Sequence, residues 1–335
     1  MPTPKFAFVG DCGSVSPWLL RAMAQAGVLE AICDRDAEQQ IGRWHARWAF
    51  TEVAEMLREA EPDGVVLSVP LSGRTKLIKQ CLTSGAGVLV AGAPAPASAC
   101  GRLALFAKLA GRFVMAAPAI RFSPSVLLAR RLLDSGKFGP PISLVLHSTH
   151  RASTSQAPPH AGPISTDQVF EAADLVHHLI GPVGRVFSSA HADGAMTVSA
   201  VSKGGIALAL VFHANGMADG VGIDLEIRAA DGTRLSIDRN GSLDCVNGSR
   251  VGARHRAALG SAEPAVELGF EGLVAEFRRH LETRRPGPGL VGAAGPATAA
   301  AEAMLSSAAK GRQMVPKVPR LATGGRKASR PSKVG

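Results

Sequence analysis

Tyrosine is absent from this 335-residue chain, so no phenol can give or take a proton in its chemistry. No run of about 18 apolar residues occurs, which excludes a membrane-spanning helix. The opening MPTPKFAFVG passes straight into a strand pattern and lacks the charged, apolar and small-residue segments of a leader. Cysteine is scarce and scattered: Cys12, Cys33, Cys81, Cys100 and Cys245, with no Cys-x-x-Cys pair. That argues against a disulfide framework or a zinc cluster, and the expectation is a reducing cytoplasm and no metal. Acid is missing from one end only. Residues 310–335 hold eight Lys or Arg and no Asp or Glu, which leaves about +2 of the net +10 for the rest of the chain. The basic charge therefore belongs to a flexible Pro- and Gly-rich extension over 317–335, and the body carries no nucleic-acid signature.

What is present describes a folded protein, with 46% apolar and 19% charged residues and enough length for two domains. The first third alternates the two periods. KFAFVG (5–10), EAICDRD (30–36), DGVVLSVP (63–70) and VLVAG (88–92) have strand texture. Segments 17–27, 51–62 and 74–87 have helical apolar spacing. Strands alternating with helices imply a Rossmann-like, doubly wound parallel sheet. From Ile142 the strands crowd together, with Gly and Asp-Gly turns between several of them, which predicts a large, mostly antiparallel open sheet. A helix over 167–181 interrupts that sheet, and helices near 268–283 and 297–310 close the fold. No internal repeat is found.

The first strand ends in Gly10-Asp11-Cys12-Gly13, where a dinucleotide fingerprint would read Gly-x-Gly-x-x-Gly. Only the first glycine is in register. Cys12 would place a Cβ beside the pyrophosphate, and Gly13 compensates in part. Pro17 suits a first helical position with Ser16 as its cap. Asp34 closes the second strand 24 residues after Gly10, which suits a carboxylate accepting from a ribose hydroxyl and favours NAD. Arg35 beside it could instead meet the 2′-phosphate of NADP.

Several segments, in this order, resemble the glucose–fructose oxidoreductase/inositol dehydrogenase (Gfo/Idh/MocA) family. They are EAEPDGVVLSVP, IKQCLTSGAGVLVAGAPAPAS, AIRFSPSVLLARRLLDSGKFGPPISL, AGPISTDQVFEAADLVHHLIG, FEGLVAEFRRHLETRRPG and TAAAEAMLSSAAKGRQMV. The resemblance implies a dinucleotide domain over 1–118 and a substrate and oligomerisation domain over 119–316, with the helix near 297–310 packing back on the first. It implies an NAD(P)-dependent oxidoreductase acting on a sugar, polyol or imine, a homo-oligomer joined through the second sheet. It places Pro70 and Arg74 with Gly10, Cys12, Gly13, Asp34 and Arg35 around the cofactor.

The family's Glu-Lys-Pro motif falls on Gly92-Ala93-Pro94, so Ala93 stands in the lysine position. Asp167 is kept, Glu171 replaces a customary histidine and Arg74 replaces another. Hydride transfer needs a proton carrier, and both usual ones are missing. Asp167, Glu171 and Asp174 lie at i, i+4, i+7 and form one helical stripe toward the cleft. Mutual repulsion would raise at least one pKa and make Glu171 a candidate acid or base. Arg121 and His150 are candidate substrate contacts, although Arg121 could equally pair with a carboxylate. His177 suits a packed position, and Trp44, His45, Arg47 and Trp48 suit a cover over a helix-to-strand junction. Three activities stay open: a redox enzyme with a degraded motif, a non-redox lyase, isomerase or cyclase using Glu171 and Asp167, and a non-catalytic ligand-binding protein.

Overall fold

The structure, a computed structural model, describes residues 3–12, 17–149, 164–191, 194–213, 222–248, 250–256, 264–283 and 289–318. The first part alternates β1 (Lys5–Gly10), α1 (Pro17–Ala26), β2 (Val28–Cys33), α2 (Ala37–Trp44), β3 (Trp48–Phe50), α3 (Val53–Glu59), β4 (Gly64–Ser68), α4 (Leu71–Thr83), β5 (Gly87–Val90), α5 (Ala97–Leu109) and β6 (Val114–Ala116). Its strands form a parallel sheet in the order β3-β2-β1-β4-β5-β6. Both faces are covered, so β4 reads as an unbroken apolar run, buried from Gly64 to Leu67. Gly10, at the end of β1, has φ +139°, and a Cβ there would lie 2.1 Å from the Ser68 carbonyl oxygen. That glycine is demanded by the close approach of β4.

A short 3-10 turn, Ala119–Phe122, and α6 (Pro124–Asp134) lead into the second part. Ser123 caps α6 through the Val126 N–H, with Pro124 at the first position. There follow β7 (Pro141–Thr149), α7 (Thr166–Leu179), β8 (Val183–Ala190), β9 (Ala195–Ser202), β10 (Ala207–His213), β11 (Gly222–Ala229), β12 (Arg234–Ile237), β13 (Leu243–Asn247) and β14 (Arg250–His255). The helices α8 (Pro264–Glu267), α9 (Phe270–Thr283) and α10 (Val291–Lys310) close the described chain. The second sheet runs β14-β13-β12-β11-β7-β10-β9-β8. It is antiparallel except between β7 and β10, which pair in parallel from Ser143↔Ala207 to Thr149↔His213. The sheet is mostly antiparallel, as expected, with one parallel pair. The long connection through α7 frees β7 from hairpin partners on that side, so β10 meets it running the same way.

Strand alternation is clear in the second sheet. In β7, Leu144, Leu146 and Ser148 are buried, while Val145 and His147 face outward. The inward side meets α7 and α10, and α10 also packs on α5. One apolar cluster therefore runs from the first sheet through these helices to the second, and a separate one lies under α1 and α9. In the latter Phe277 of α9 stacks on Phe6 with ring centroids 5.9 Å apart. The helix expected from residue 297 begins six residues earlier and takes Pro296 inside it. The proline has no N–H to give the Gly292 carbonyl, and burial of the Ala-rich face outweighs that loss.

The free edge of β8 is closed by the chain after α10. Val186 N–H donates to the Met314 carbonyl at 2.9 Å, and Met314 N–H returns the bond at 2.8 Å. Ser307 Oγ accepts from Ser188 N–H and donates to the Arg312 carbonyl. Residues 319–335, which include most of the proposed basic tail, lie outside the described residues. A chain ending at Val318 should keep its thermal midpoint. One ending at Gly311 loses two backbone bonds of about 0.5–1.5 kcal/mol each, and its midpoint should fall by several degrees. Equal midpoints for the two truncations would show that this edge contact contributes nothing.

Candidate functional site

The stretch after β5 has no ionisable side chain of its own, and the charge there comes from α4. Arg74 lies on a helix whose neighbouring Lys76 and Lys79 are exposed, yet it is 2% exposed itself. Its Nε donates to the Val69 carbonyl at 3.0 Å and its Nη2 to the same oxygen at 2.5 Å. Nη1 donates to the Ala93 carbonyl. Nη1 and Nη2 then grip the Asp167 carboxylate at 2.8 and 2.9 Å. A guanidinium has five N–H groups, and these five contacts use them all. Asp167 Oδ1 also accepts the Ala93 N–H at 2.7 Å. Gly92, at φ +118°, makes room: a Cβ there would lie 2.2 Å from Asp167 Oδ1. Arg74 thus meets a carboxylate rather than open space, and Pro70 caps the N-terminal end of its helix.

The start of α7 explains the position of Asp167. Ser165 caps the helix through the Gln168 N–H at 3.1 Å, and Asp167 follows in the first turn, where the helix dipole favours an anion. Gln168 is buried and ties the helix to the second sheet, donating to the carbonyls of Ser148 and His213 at 3.3 and 3.2 Å.

Two members of the expected stripe of acids are paired with arginines, and Glu171 still adds to the rise in the Asp174 pKa. Asp174 is 1% exposed and takes the Arg121 guanidinium in a two-point contact, 2.9 Å from Nε and 2.5 Å from Nη2. Burial pushes the Asp174 carboxyl up to about 6, against the pull of Arg121, so it is ionised at neutral pH. Arg121 is itself buried, and both of the guanidinium nitrogens that meet Asp174 face a carboxylate rather than the cleft. Of the three acids, Glu171 remains half-buried between them.

At the other end of the cleft, Asp34 stands where β2 ends. It accepts the Cys12 N–H at 2.9 Å and the Arg35 N–H at 2.6 Å. Cys12 is 5% exposed and belongs to the apolar cluster beneath α1, and burial together with the charge and hydrogen bond of Asp34 pushes its thiol up to about 12. Arg35 is exposed. Helix α1 does start at Pro17. Gly13, Ser16 and His150 lie outside the described residues.

His177 and His178 sit on the packed half of α7, and burial lowers both pKa values, that of His178 to about 4. His147 faces away from the cleft, into a depression of about 390 Å³ on the outer face of the second sheet. In the aromatic–basic patch Arg43 covers Trp44 and Arg47 covers Trp48, and His45 ends α2 at φ +53°. No cluster of three or more metal-ligating side chains occurs among the described residues. One further contact carries no signal along the chain. Glu302 of α10 reaches across to accept the Ala97 N–H at 2.8 Å and so caps α5.

No family model matches the sequence, and no curated protein does. Solved structures do match in fold. An oxidoreductase from Agrobacterium radiobacter, in complex with NAD+, L-tartaric acid and magnesium, aligns with TM-score 0.77 at 14% identity over 93% of this chain and 98% of its own. Levoglucosan dehydrogenase in complex with NADH and levoglucosan aligns with TM-score 0.77 at 14% identity, covering 94% and 99%. A dehydrogenase from Chromobacterium violaceum gives TM-score 0.76 at 18% identity, covering 92% and 96%. These likenesses are of fold.

The buried groups predict two behaviours. Replacing Arg121 with Gln should destabilise the protein by about 3–5 kcal/mol, because Asp174 is left buried without its cation. A urea titration that finds less than about 1 kcal/mol would place Asp174 in water. His178 stays neutral when folded but takes a proton below about 6.5 when unfolded. Its contribution is therefore present above that pH and lost as pH falls toward 4. Asp174, with a raised pKa, acts oppositely as pH rises from about 4 to about 6. Thermal midpoints of His178→Leu should fall less than those of the parent between about pH 7 and about pH 4.5. An unchanged gap would mean that His178 is solvated.

Proposed function

We propose that this chain is a divergent NAD-linked oxidoreductase of the Gfo/Idh/MocA type, acting on a sugar, polyol or imine-like molecule. Residues 1–118 would take the dinucleotide and 119–316 the substrate. The observation that supports the reading is a doubly wound sheet with Asp34 at the end of β2, directly bonded to the turn after β1. The solved structures that share the fold, with NAD+ or NADH in their names, support it further.

The site fits the group at the ribose end. Asp34 is half-buried and meets two backbone N–H groups and the Cys12 thiol, which leaves a carboxylate lone pair for a ribose hydroxyl. It would hold a ribose hydroxyl, which favours NAD over NADP, while exposed Arg35 gives NADP its one point of support. The turn of Gly10 and Cys12, with Gly13, would lie along the pyrophosphate. Bound there, the nicotinamide supplies hydride chemistry.

The chain itself must handle the proton. Ala93 cannot, and Arg74 keeps its charge at every physiological pH. Asp167 is already engaged by Arg74 and the Ala93 N–H. Glu171, one turn further along α7, is the carboxylate we assign to the proton. A second reading, a ligand-binding protein without turnover, is favoured by the saturation of Arg74, which leaves the customary lysine position without a proton carrier. We also propose a cytoplasmic homo-oligomer joined by the outer face of the second sheet. There Asp224, Glu226 and Asp244 alternate with Arg228, Arg239 and Arg254, a mixture that suits a second copy of the same face.

Calorimetric titration with NAD+, NADH, NADP+ and NADPH should find binding of the NAD forms, weakened by about tenfold or more in Asp34→Ala. No binding of any of the four would end the redox reading. On a panel of sugars, polyols and imines, Glu171→Gln should cost about 10²–10⁴ in turnover. Turnover indifferent to that change would remove Glu171 from the mechanism. Cofactor binding with no turnover would favour the binding protein, and turnover without cofactor the non-redox enzyme. Light scattering should give a multiple of 34.6 kDa; a monomer would refute the sheet interface.

A further inference from the structure

Arg74, Asp167, Gly92 and Ala93 come from three separate pieces of the fold. Arg74 is on α4, the Gly92–Ala93 backbone follows β5, and Asp167 is at the start of α7, which is pinned by Gln168 to the second sheet. The guanidinium spends two contacts on Asp167 and three on backbone carbonyls of the first part. Asp167 spends Oδ1 a second time on the Ala93 N–H. The Gly92 backbone lies so close to the carboxylate that no side chain fits at 92 while Asp167 stays where it is. Each member therefore requires the others. With every N–H of the guanidinium used, Arg74 has none left for a ligand.

We infer that this group is a permanent clamp between the dinucleotide-type half and the sheet half, and that Arg74 is a positioning residue which fixes the opening of the cleft before any ligand arrives. A loosely paired arginine would gain a ligand contact by swinging out. This one would leave its own buried guanidinium site, two carbonyls and a half-buried carboxylate without their partners, so the clamped arrangement persists. The bond also costs the cleft its flexibility. Closure about a hinge, a common way to complete a site, would have to break it. The consequence is a pre-set cleft rather than a closing one. The clamp stands on geometry alone and does not rest on the oxidoreductase reading.

Hydrogen exchange and small-angle X-ray scattering on the full chain test it, with NADH as the probe. In the parent protein the scattering radius should be the same with and without NADH. In Arg74→Met, amides in the first turn of α7 and at 91–93 should lose protection together, by about a hundredfold, and the scattering radius should increase. Arg74→Lys should not restore protection, because an ammonium has three donors for these acceptors. Gly92→Ala, which keeps every charge and adds one methyl against Asp167, should produce the same paired loss in a folded protein. The inference is overturned if Gly92→Ala and Arg74→Met leave exchange in both segments at parental levels. It is also overturned if NADH contracts the parent protein. If NADH does not bind, the ligand-free exchange and scattering still decide the clamp, and only the redox reading fails.

Discussion

The pairing of buried arginine with buried or half-buried aspartate organises the middle of this molecule. Arg74 with Asp167 and Arg121 with Asp174 are both two-point contacts, and both tie α7 to elements that precede it. A buried guanidinium is tolerable only if its donors are spent in good geometry. That requirement fixes where α7 lies, and α7 in turn supports the sheet around β7 and β10. The helix carries Asp174 into the core while Asp167 and Glu171 stay half-buried, and nine of its fourteen residues are buried.

The same pairing decides what chemistry the cleft can do. Two carboxylates and two guanidinium groups are spent on each other. A site with its charges spent on each other is well ordered and poorly suited to acid–base work. Positioning is what it offers in exchange, since rigid elements hold ligand groups better than loops do. The fold is shared with dehydrogenase structures at under one fifth sequence identity.

Small residues make the close approaches possible. Gly92 lets a carboxylate rest on backbone, and Gly10 lets β1 lie against the Ser68 carbonyl. The Ala-rich α10 fits against α5, α7 and β8, and Glu302 crosses that seam to cap α5. The segment AGAPAPAS, which has no charged side chain, is thereby surrounded by charges from other elements: Arg74, Asp167 and Glu302.

Periodicity in the sequence was sufficient for the alternating first part, because each strand or helix there buries one contiguous stripe and the pattern is local. It was sufficient too for the strand texture of the second sheet and for Pro17 at a helix start. The likeness of segment order pointed to the right fold family for the same reason: order and spacing are properties of the chain. What the tertiary structure alone decided was partnership. The spacing of Asp167, Glu171 and Asp174 is a fact of the sequence, but whether they repel depends on Arg74, 93 residues before Asp167, and Arg121, 53 before Asp174. That Cys12 is buried and meets Asp34, 22 residues later, is not legible along the chain. The parallel contact of β7 with β10 is likewise invisible along the chain, since no hairpin turn marks it. Charge neutralisation and packing are set by distance in space, and sequence separation carries no record of that distance.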